Sequence, residues 1–469
     1  MRTFRLADAD FAALAAGRPP RHVLAELRRA EISRHLLLQT QLPSGYAVPR
    51  THPGRADPMS ALHTAATLAA LRAGAAPPPG SVPSRKTLHA EHDGLAIAAR
   101  LEDRDPLRAR LGLTPTAELS PAELARWQAL FEQAWHLLVA RHRPMAETLA
   151  EVLSVIIPVE PDPGAGGISA TSAQAYGAVA MSAPADATAF AVGLLHETQH
   201  SVLNAVMVLF DLVTPTRERG YSPWRDDPRP PTGVLHGAYA YQAVTRFWRT
   251  EAQHAMTDAT GGGGALAAFE FVRWRDAVVA AADGLLAGEH LTPAGRRFAG
   301  ALRAEVAAWR DQPGGERIAR LAREASADHR IRWRLRNLEV SAATVALLVD
   351  AWRRGADAPA VPEATVRTGR GRVLAGSDRL RLVHALLRGQ SPDDDAKAVA
   401  GHGTPSGAAG RDDEFWAAVA LAAPGGPMAR PELARALWQA APTGDIDALV
   451  RWTAQVRPAA ADGRRGGEA

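Results

Sequence analysis

The stretch Phe190–Leu203, FAVGLLHETQHSVL, constrains this chain more than any other. It sets His196, Glu197 and His200 in an HExxH pattern inside an apolar run. On a helix, residues four apart share a face, so His196 and His200 point the same way with Glu197 beside them. Ala191, Val192, Leu194, Leu195, Val202 and Leu203 flank the motif, so this helix is expected to be buried. A buried polar group without a partner costs about 1–3 kcal/mol, and a metal ion shared by the two imidazoles supplies one.

At 469 residues the chain is long for one domain. Three regions are expected: a helical N-terminal region over 1–153, a metal-binding core over 154–300 and a helical C-terminal region over 301–469. There is no Cys, which excludes disulfides, thiolate metal sites and Cys nucleophiles, and suits a reducing compartment. The net charge is +4, with acids and bases interspersed and no basic arm, so nucleic acid is not an expected partner. No run approaches the roughly 20 apolar residues of a membrane span, and Met1–Phe11 lacks the apolar centre of a signal peptide. A cytoplasmic protein without a membrane partner is expected.

Helical spacing of apolar residues predicts helices over 4–16, 22–41 and 57–73, then from Pro121, capped by Ser120 with Glu123 at the third position, to Ala140. Val155–Val159, Gly167–Ser172 and Tyr176–Ser182 read as short strands, and Pro184-Ala185-Asp186 turns the chain into the HExxH helix, expected to reach Leu212. The fold class is therefore mainly α, an α+β protein with a small sheet beside the HExxH helix. An edge strand next to that helix can take up an extended peptide by strand addition. Arg217–Thr232, RERGYSPWRDDPRPPT, reads as a long loop of the kind that carries substrate or cosubstrate contacts. Helices follow from Gly233, Ala265, Thr292, Gly315 (one run to Trp352), Ser377, Asp412 and Pro431. Gly/Ala/Pro-rich segments at 356–372, 391–410 and 459–469 read as linkers and a tail.

The third ligand decides the chemistry. A metzincin would need His at position 206, which is Val. Glu251, at the end of the next helix, suits a thermolysin-like site; Glu218 lies in the loop, and His254 is a weaker candidate. His236 opens the helix after the one carrying His200, with Gly237 beside it, and fits better. His89 and His92 could also bind metal, while His136 and His142 read as surface or satisfied core residues. A third histidine leaves a six-coordinate iron three open positions, or a tetrahedral zinc one.

Four stretches, AYGAVAMS, LLHETQHSVLNAV, YSPWRDDPRPPTGVLHGAYAY and DHRIRWRLRN, resemble the HExxH-motif proteins encoded beside ribosomally made, post-translationally modified peptides in actinomycetes. That family includes iron(II)- and 2-oxoglutarate-dependent peptide β-hydroxylases. The resemblance implies a zincin-like sheet, an oxygenase using Fe(II), 2-oxoglutarate and dioxygen, and a precursor-peptide substrate. It implies His196, His200 and His236 as iron ligands. Arg229 and Arg225, whose guanidinium forks match a carboxylate, are the candidates for the cosubstrate's distal end. Glu197 would tune a ligand, orient water or bond substrate. Arg334, Arg336, Tyr239 and Tyr241 are further candidates. Two alternatives stand beside this reading: a zinc metallopeptidase of zincin type with Glu197 as general base, and an inactive relative that binds peptide for another maturation enzyme.

Overall fold

The structure is a computed structural model describing residues 4–46, 57–162, 167–257, 263–310, 313–367, 377–390 and 408–459. Parts of the segments read as linkers and tail, 368–372, 391–407 and 460–469, lie outside the described residues. Helices make up 60% of the protein and strands 10%, so the fold is mainly α with small sheets. Contacts divide it into two compact units, Met1–Thr216 with Pro231–Gly315, and Arg217–Pro230 with Glu316–Ala469.

In the first unit, α1 (Asp8–Ala15), α2 (Arg21–Gln39) and α3 (Pro58–Arg72) precede a hairpin of β1 (Thr87–His92) and β2 (Leu95–Leu101). Asp93-Gly94 turns that hairpin with both residues at positive φ, the geometry that favours an Asp-Gly pair. Next come α4 (Pro121–Arg141), α5 (Arg143–Val152), β3 (Val155–Val159), β4 (Ser169–Ala170) and β5 (Ala178–Ser182). The expected cap of α4 forms in full: Ser120 Oγ accepts from the Glu123 amide, and the Ser120 amide donates back to Glu123 Oε2 at 2.8 Å.

The strands form one sheet in the order β1-β2-β3-β5-β4. The inner pairs β2/β3 and β3/β5 are parallel, and the outer pairs are antiparallel. Side chains alternate between its faces, as the two-residue period of a strand requires. Ile156, Val179 and Met181 join Trp127, Phe131, Trp135 and Phe190 in one core. Val155, Ile157, Val159, Ala178 and Ala180 join Met59 and Leu62 in another. Helices α4 and α5 and the segment around Phe190 thus cover one face, and α3 the other.

Helix α6 (Ala187–Leu209) carries the HExxH motif. Asp186 caps it, accepting from the Ala189 amide at 2.8 Å. Phe190 and Leu194 are buried against the sheet, and Gly193 lets the helix lie close: a Cβ there would stand 3.0 Å from Met181 Cε. The helix stops before the expected Leu212, because Phe210 is extended and the Leu212 carbonyl is taken up elsewhere. It accepts from the Thr292 amide at 3.1 Å and lies on Gly295, where a Cβ would come within 1.8 Å of it. Helices α7 (Pro231–Thr257), α8 (Gly264–Ala287) and α9 (Pro293–Ala307) complete the unit, with α7 packed between α6 and α8.

The second unit is built from a hairpin of β6 (Gly220–Ser222) and β7 (Arg225–Arg229), then α10 (Gly315–Asn337), β8 (Leu338–Glu339), α11 (Ala342–Arg353), β9 (Thr365–Val366), α12 (Asp378–Leu387), α13 (Ala408–Leu421), α14 (Pro431–Ala440) and α15 (Ile446–Thr453). Two expectations are corrected here. Arg217–Thr232 is not an open loop but a hairpin turning at Pro223-Trp224. The single helix expected over Gly315–Trp352 is broken where Leu338 and Glu339 pair with β9. Ile331, Leu335, Leu348, Trp416, Leu433, Leu437 and Leu449 form this unit's core. No helix among the described residues is long and apolar enough to cross a membrane.

Candidate metal centre

One turn of α6 brings the Nε2 atoms of His196 and His200 to 3.1 Å from each other. With metal–nitrogen bonds of about 2.1 Å, two ligands at a right angle would be about 3.0 Å apart and two at a tetrahedral angle about 3.4 Å. The observed separation therefore suits two imidazoles on one ion. Glu197 is buried behind them, its Oε1 3.9 Å from His196 Nε2. Among the described residues, His196, Glu197 and His200 form the one group of three whose ligand atoms all lie within 4.8 Å of one another. Both histidines are half-buried while Glu197 is enclosed, so the donors face outward from a closed floor. Burial pushes the His196 imidazolium down to about 4, which keeps the ring in the neutral form that a metal requires.

His236 stands near the start of α7, its ring centroid 5.6 Å from that of His200 and tilted by 34°. The His196 and His200 rings are 4.7 Å apart. His236 thus faces the pair from the neighbouring helix, although its nitrogens lie outside the tight group.

The surroundings contain residues that pattern reading did not single out. Ser169, on β4, donates its hydroxyl hydrogen to Glu197 Oε1 at 2.6 Å, tying the end strand of the sheet to the motif. No sequence signal marks it, because the contact joins a two-residue strand to a helix 28 positions away. Trp274 of α8 packs on Tyr241 at 4.2 Å, and Tyr241 meets the His196 ring edge-on at 5.0 Å. Arg273 lies over Trp274 at 4.1 Å. Tyr239 differs from Tyr241: it is fully buried and donates to the Leu14 carbonyl at 2.7 Å, so it belongs to the core.

Other candidates are engaged elsewhere. Glu251 accepts from Arg141 at 2.7 Å and pairs with His142 at 2.9 Å, and His142 is a buried ring stacked on Phe247. His92 and His136 face each other at 3.9 Å on the β1–α4 side of the sheet. Glu218 and His254 are exposed.

In the second unit, Arg225 Nε donates to Asp227 Oδ1 at 2.9 Å, and Arg229 Nη1 to Asp227 Oδ2 at 3.3 Å. Both cosubstrate candidates therefore grip one carboxylate. Their cationic forks in turn hold the Asp227 carboxyl below its usual range against the effect of its burial. Arg334 is bonded to Glu432, with Glu363 close by. The hairpin also packs on α10, so two of the stretches that carry the family resemblance lie together, with Tyr221 Oη and His329 Nδ1 2.9 Å apart. Sequence comparisons find no matching family model and no matching curated protein.

Proposed function

We propose that the chain is an iron(II)- and 2-oxoglutarate-dependent oxygenase that hydroxylates a β-carbon in a ribosomally made precursor peptide. The observation that carries the metal part is the 3.1 Å approach of His196 and His200, with a third imidazole facing them from α7. The donors are imidazole and carboxylate with no thiolate, a set that fits iron(II) and also zinc. The choice of iron and of 2-oxoglutarate rests on the family resemblance.

In this reading His196, His200 and His236 hold the ion. Bound together, iron, 2-oxoglutarate and dioxygen would supply the oxidising power for hydroxylation. Arg225 and Arg229 would hold the distal carboxylate of the cosubstrate, which must displace Asp227 from the same forks. Glu197, fixed by Ser169, would orient a polar group of the substrate. Among the described residues, strand β4 ends the sheet and has one edge without a partner strand, so an extended peptide can pair along it. Tyr241, packed on Trp274, would line the site beside His196.

One observation favours the zinc-peptidase alternative. Glu197 Oε1 lies close to His196 Nε2, where a general base for a metal-bound water belongs. The deciding experiment reconstitutes the protein with iron(II) without oxygen, then adds air and the neighbouring precursor peptide, with and without 2-oxoglutarate. A gain of one oxygen atom that requires the cosubstrate supports the oxygenase. Cleavage without it supports the peptidase, and a protein that retains no metal defeats both.

A further inference from the structure

The second unit holds a polar cluster that the metal reading does not use. His329, Trp333, Arg336 and Asn337 are spaced i, i+4, i+7 and i+8, so they share one face of α10. The β6–β7 hairpin lies on that face. The Tyr221 ring packs against His329 at 5.6 Å and Trp333 at 5.4 Å. Asn337 Nδ2 donates to the Asp226 carbonyl at 2.7 Å and to the Trp333 carbonyl at 3.0 Å.

Four buried atoms in this cluster have no hydrogen-bond partner among the described residues: Ser222 Oγ, Trp333 Nε1, Arg336 Nε and Asn337 Oδ1. Ser222 and Asn337 are fully enclosed, and Trp333 is 4% exposed. The two bonds made by Asn337 Nδ2 fix the amide's orientation, so Oδ1 is an acceptor in need of a donor. Trp333 Nε1 and Arg336 Nε are donors in need of an acceptor, and the Ser222 hydroxyl can serve either way. Buried polar atoms are nearly always satisfied, so a group of orphans on one face calls for an occupant.

The charges say what kind. The neighbouring arginines of α10 are neutralised, Arg332 by Asp328 and Glu414, Arg334 by Glu432 and Glu363. Arg336 forms no ion pair or hydrogen bond among the described residues. Its field acts on the Asp226 carboxyl, yet burial still pushes that carboxyl up to about 6. The His329 ring nitrogen Nε2 lies 3.6 Å from Asp226 Oδ1. A half-buried guanidinium and a half-buried carboxyl thus lie close enough to feel each other without bonding.

We infer that this face binds a free α-amino acid, its carboxylate on Arg336 Nε, Trp333 Nε1 and Ser222 Oγ, its ammonium on the Asp226 carboxylate and Asn337 Oδ1. A simple anion would lie against Asp226 and leave Asn337 Oδ1 without a donor. A simple cation would face Arg336. A zwitterion matches both charges and all four orphans. The inference goes beyond the proposed oxygenase and does not depend on it, because the cluster contains none of the metal-binding residues.

The test uses the full-length, metal-free protein, so a failure of the metal reading cannot mask the result. Calorimetric titration and thermal denaturation are run with the common L-amino acids, and with acetate, methylammonium and phosphate as partial mimics. At least one amino acid binds and raises Tm, while the mimics at equal concentration do not, since each satisfies only half of the site. Arg336→Met and Asp226→Asn each weaken binding by about tenfold or more. Arg336→Lys, which keeps the charge and loses Nε, guards against a misfolded Met variant and weakens binding equally. Arg354→Ala, at an exposed i,i+4 pair with Asp350, leaves binding unchanged. No binding by any amino acid overturns the inference and leaves ordered water as the occupant. So does binding that survives all the Arg336 and Asp226 substitutions, or acetate or phosphate binding as tightly as the amino acid.

Discussion

The centre on α6 and the cluster under the hairpin are both polar groups built around histidine in a mainly apolar protein, yet they solve burial differently. At the centre, imidazole rings converge: His196 and His200 come within 3.1 Å, and the enclosed carboxylate behind them is bonded by Ser169. Under the hairpin, opposite charges stay apart: Arg336 and Asp226 do not bond, and among the described residues Arg336 Nε and three neutral atoms, Ser222 Oγ, Trp333 Nε1 and Asn337 Oδ1, lack hydrogen-bond partners. Convergent lone pairs ask for a cation. Separated charges ask for a dipole. On the two proposals made above, the two clusters would take different ligands, although each uses a helix face crossed by a second element.

Substitutions break or sharpen that contrast, and the largest effects belong to the centre. His200→Ala and His236→Ala are each expected to lower activity by at least about a hundredfold and to strip iron during dialysis against a mild chelator. Metal content by elemental analysis checks this, and full occupancy in the His236 variant would remove that residue from the ligand set. Gly295→Ala comes next. Its methyl would collide with the Leu212 carbonyl beyond the end of α6, at a cost of about 3 kcal/mol or more, and denaturant titration measures it. An unchanged midpoint would mean that the chain yields there.

Asp226→Asn distinguishes the second cluster by pH. Burial holds the folded Asp226 near 6, above its ordinary value of 3.8, so the unfolded chain ionises first. The group's unfavourable contribution is absent below about pH 4, grows as pH rises, and is complete above about 6. The Asn variant is therefore expected to be more stable than the parent by about 1–3 kcal/mol at pH 8 and equal to it at pH 3.5. Denaturation midpoints at the two pH values test this, and a difference that does not change with pH would refute it. Ser169→Ala has the smallest expected effect, about a tenfold loss of activity with little change in stability, since it frees Glu197 without removing a ligand. Steady-state kinetics beside a melting curve separates that role from a structural one.

The same contrast explains what the sequence could disclose. His196 and His200 were legible because helix geometry relates positions four apart without any tertiary information. The caps at Ser120 and Asp186, and the runs Val155–Val159 and Ala178–Ser182, were legible for the same local reason. Arg225-Asp226-Asp227-Pro228-Arg229 was not, because charged residues and Pro argue against a strand. Its pairing with Gly220–Ser222 and packing on α10 outweigh that local preference. The strand at Thr87–His92 was hidden by its exposed polar positions, among them His89, which suggested ligand chemistry instead of a half-solvated edge. Ser169 and Trp274 reach the centre only through tertiary packing, which no spacing rule encodes.

The hairpin at Gly220–Arg229 leads directly into α7, the helix of His236, but folds with the unit that contains α10. Tyr221 and its partner His329 are 108 positions apart. At ordinary rates of synthesis, the hairpin leaves the ribosome roughly 5–20 s before the helix it rests on. The nascent chain must carry that strand pair without its support for the whole interval. A stop codon introduced between α7 and α10 would therefore strand the entry to α7, even though every histidine of the centre had already been translated.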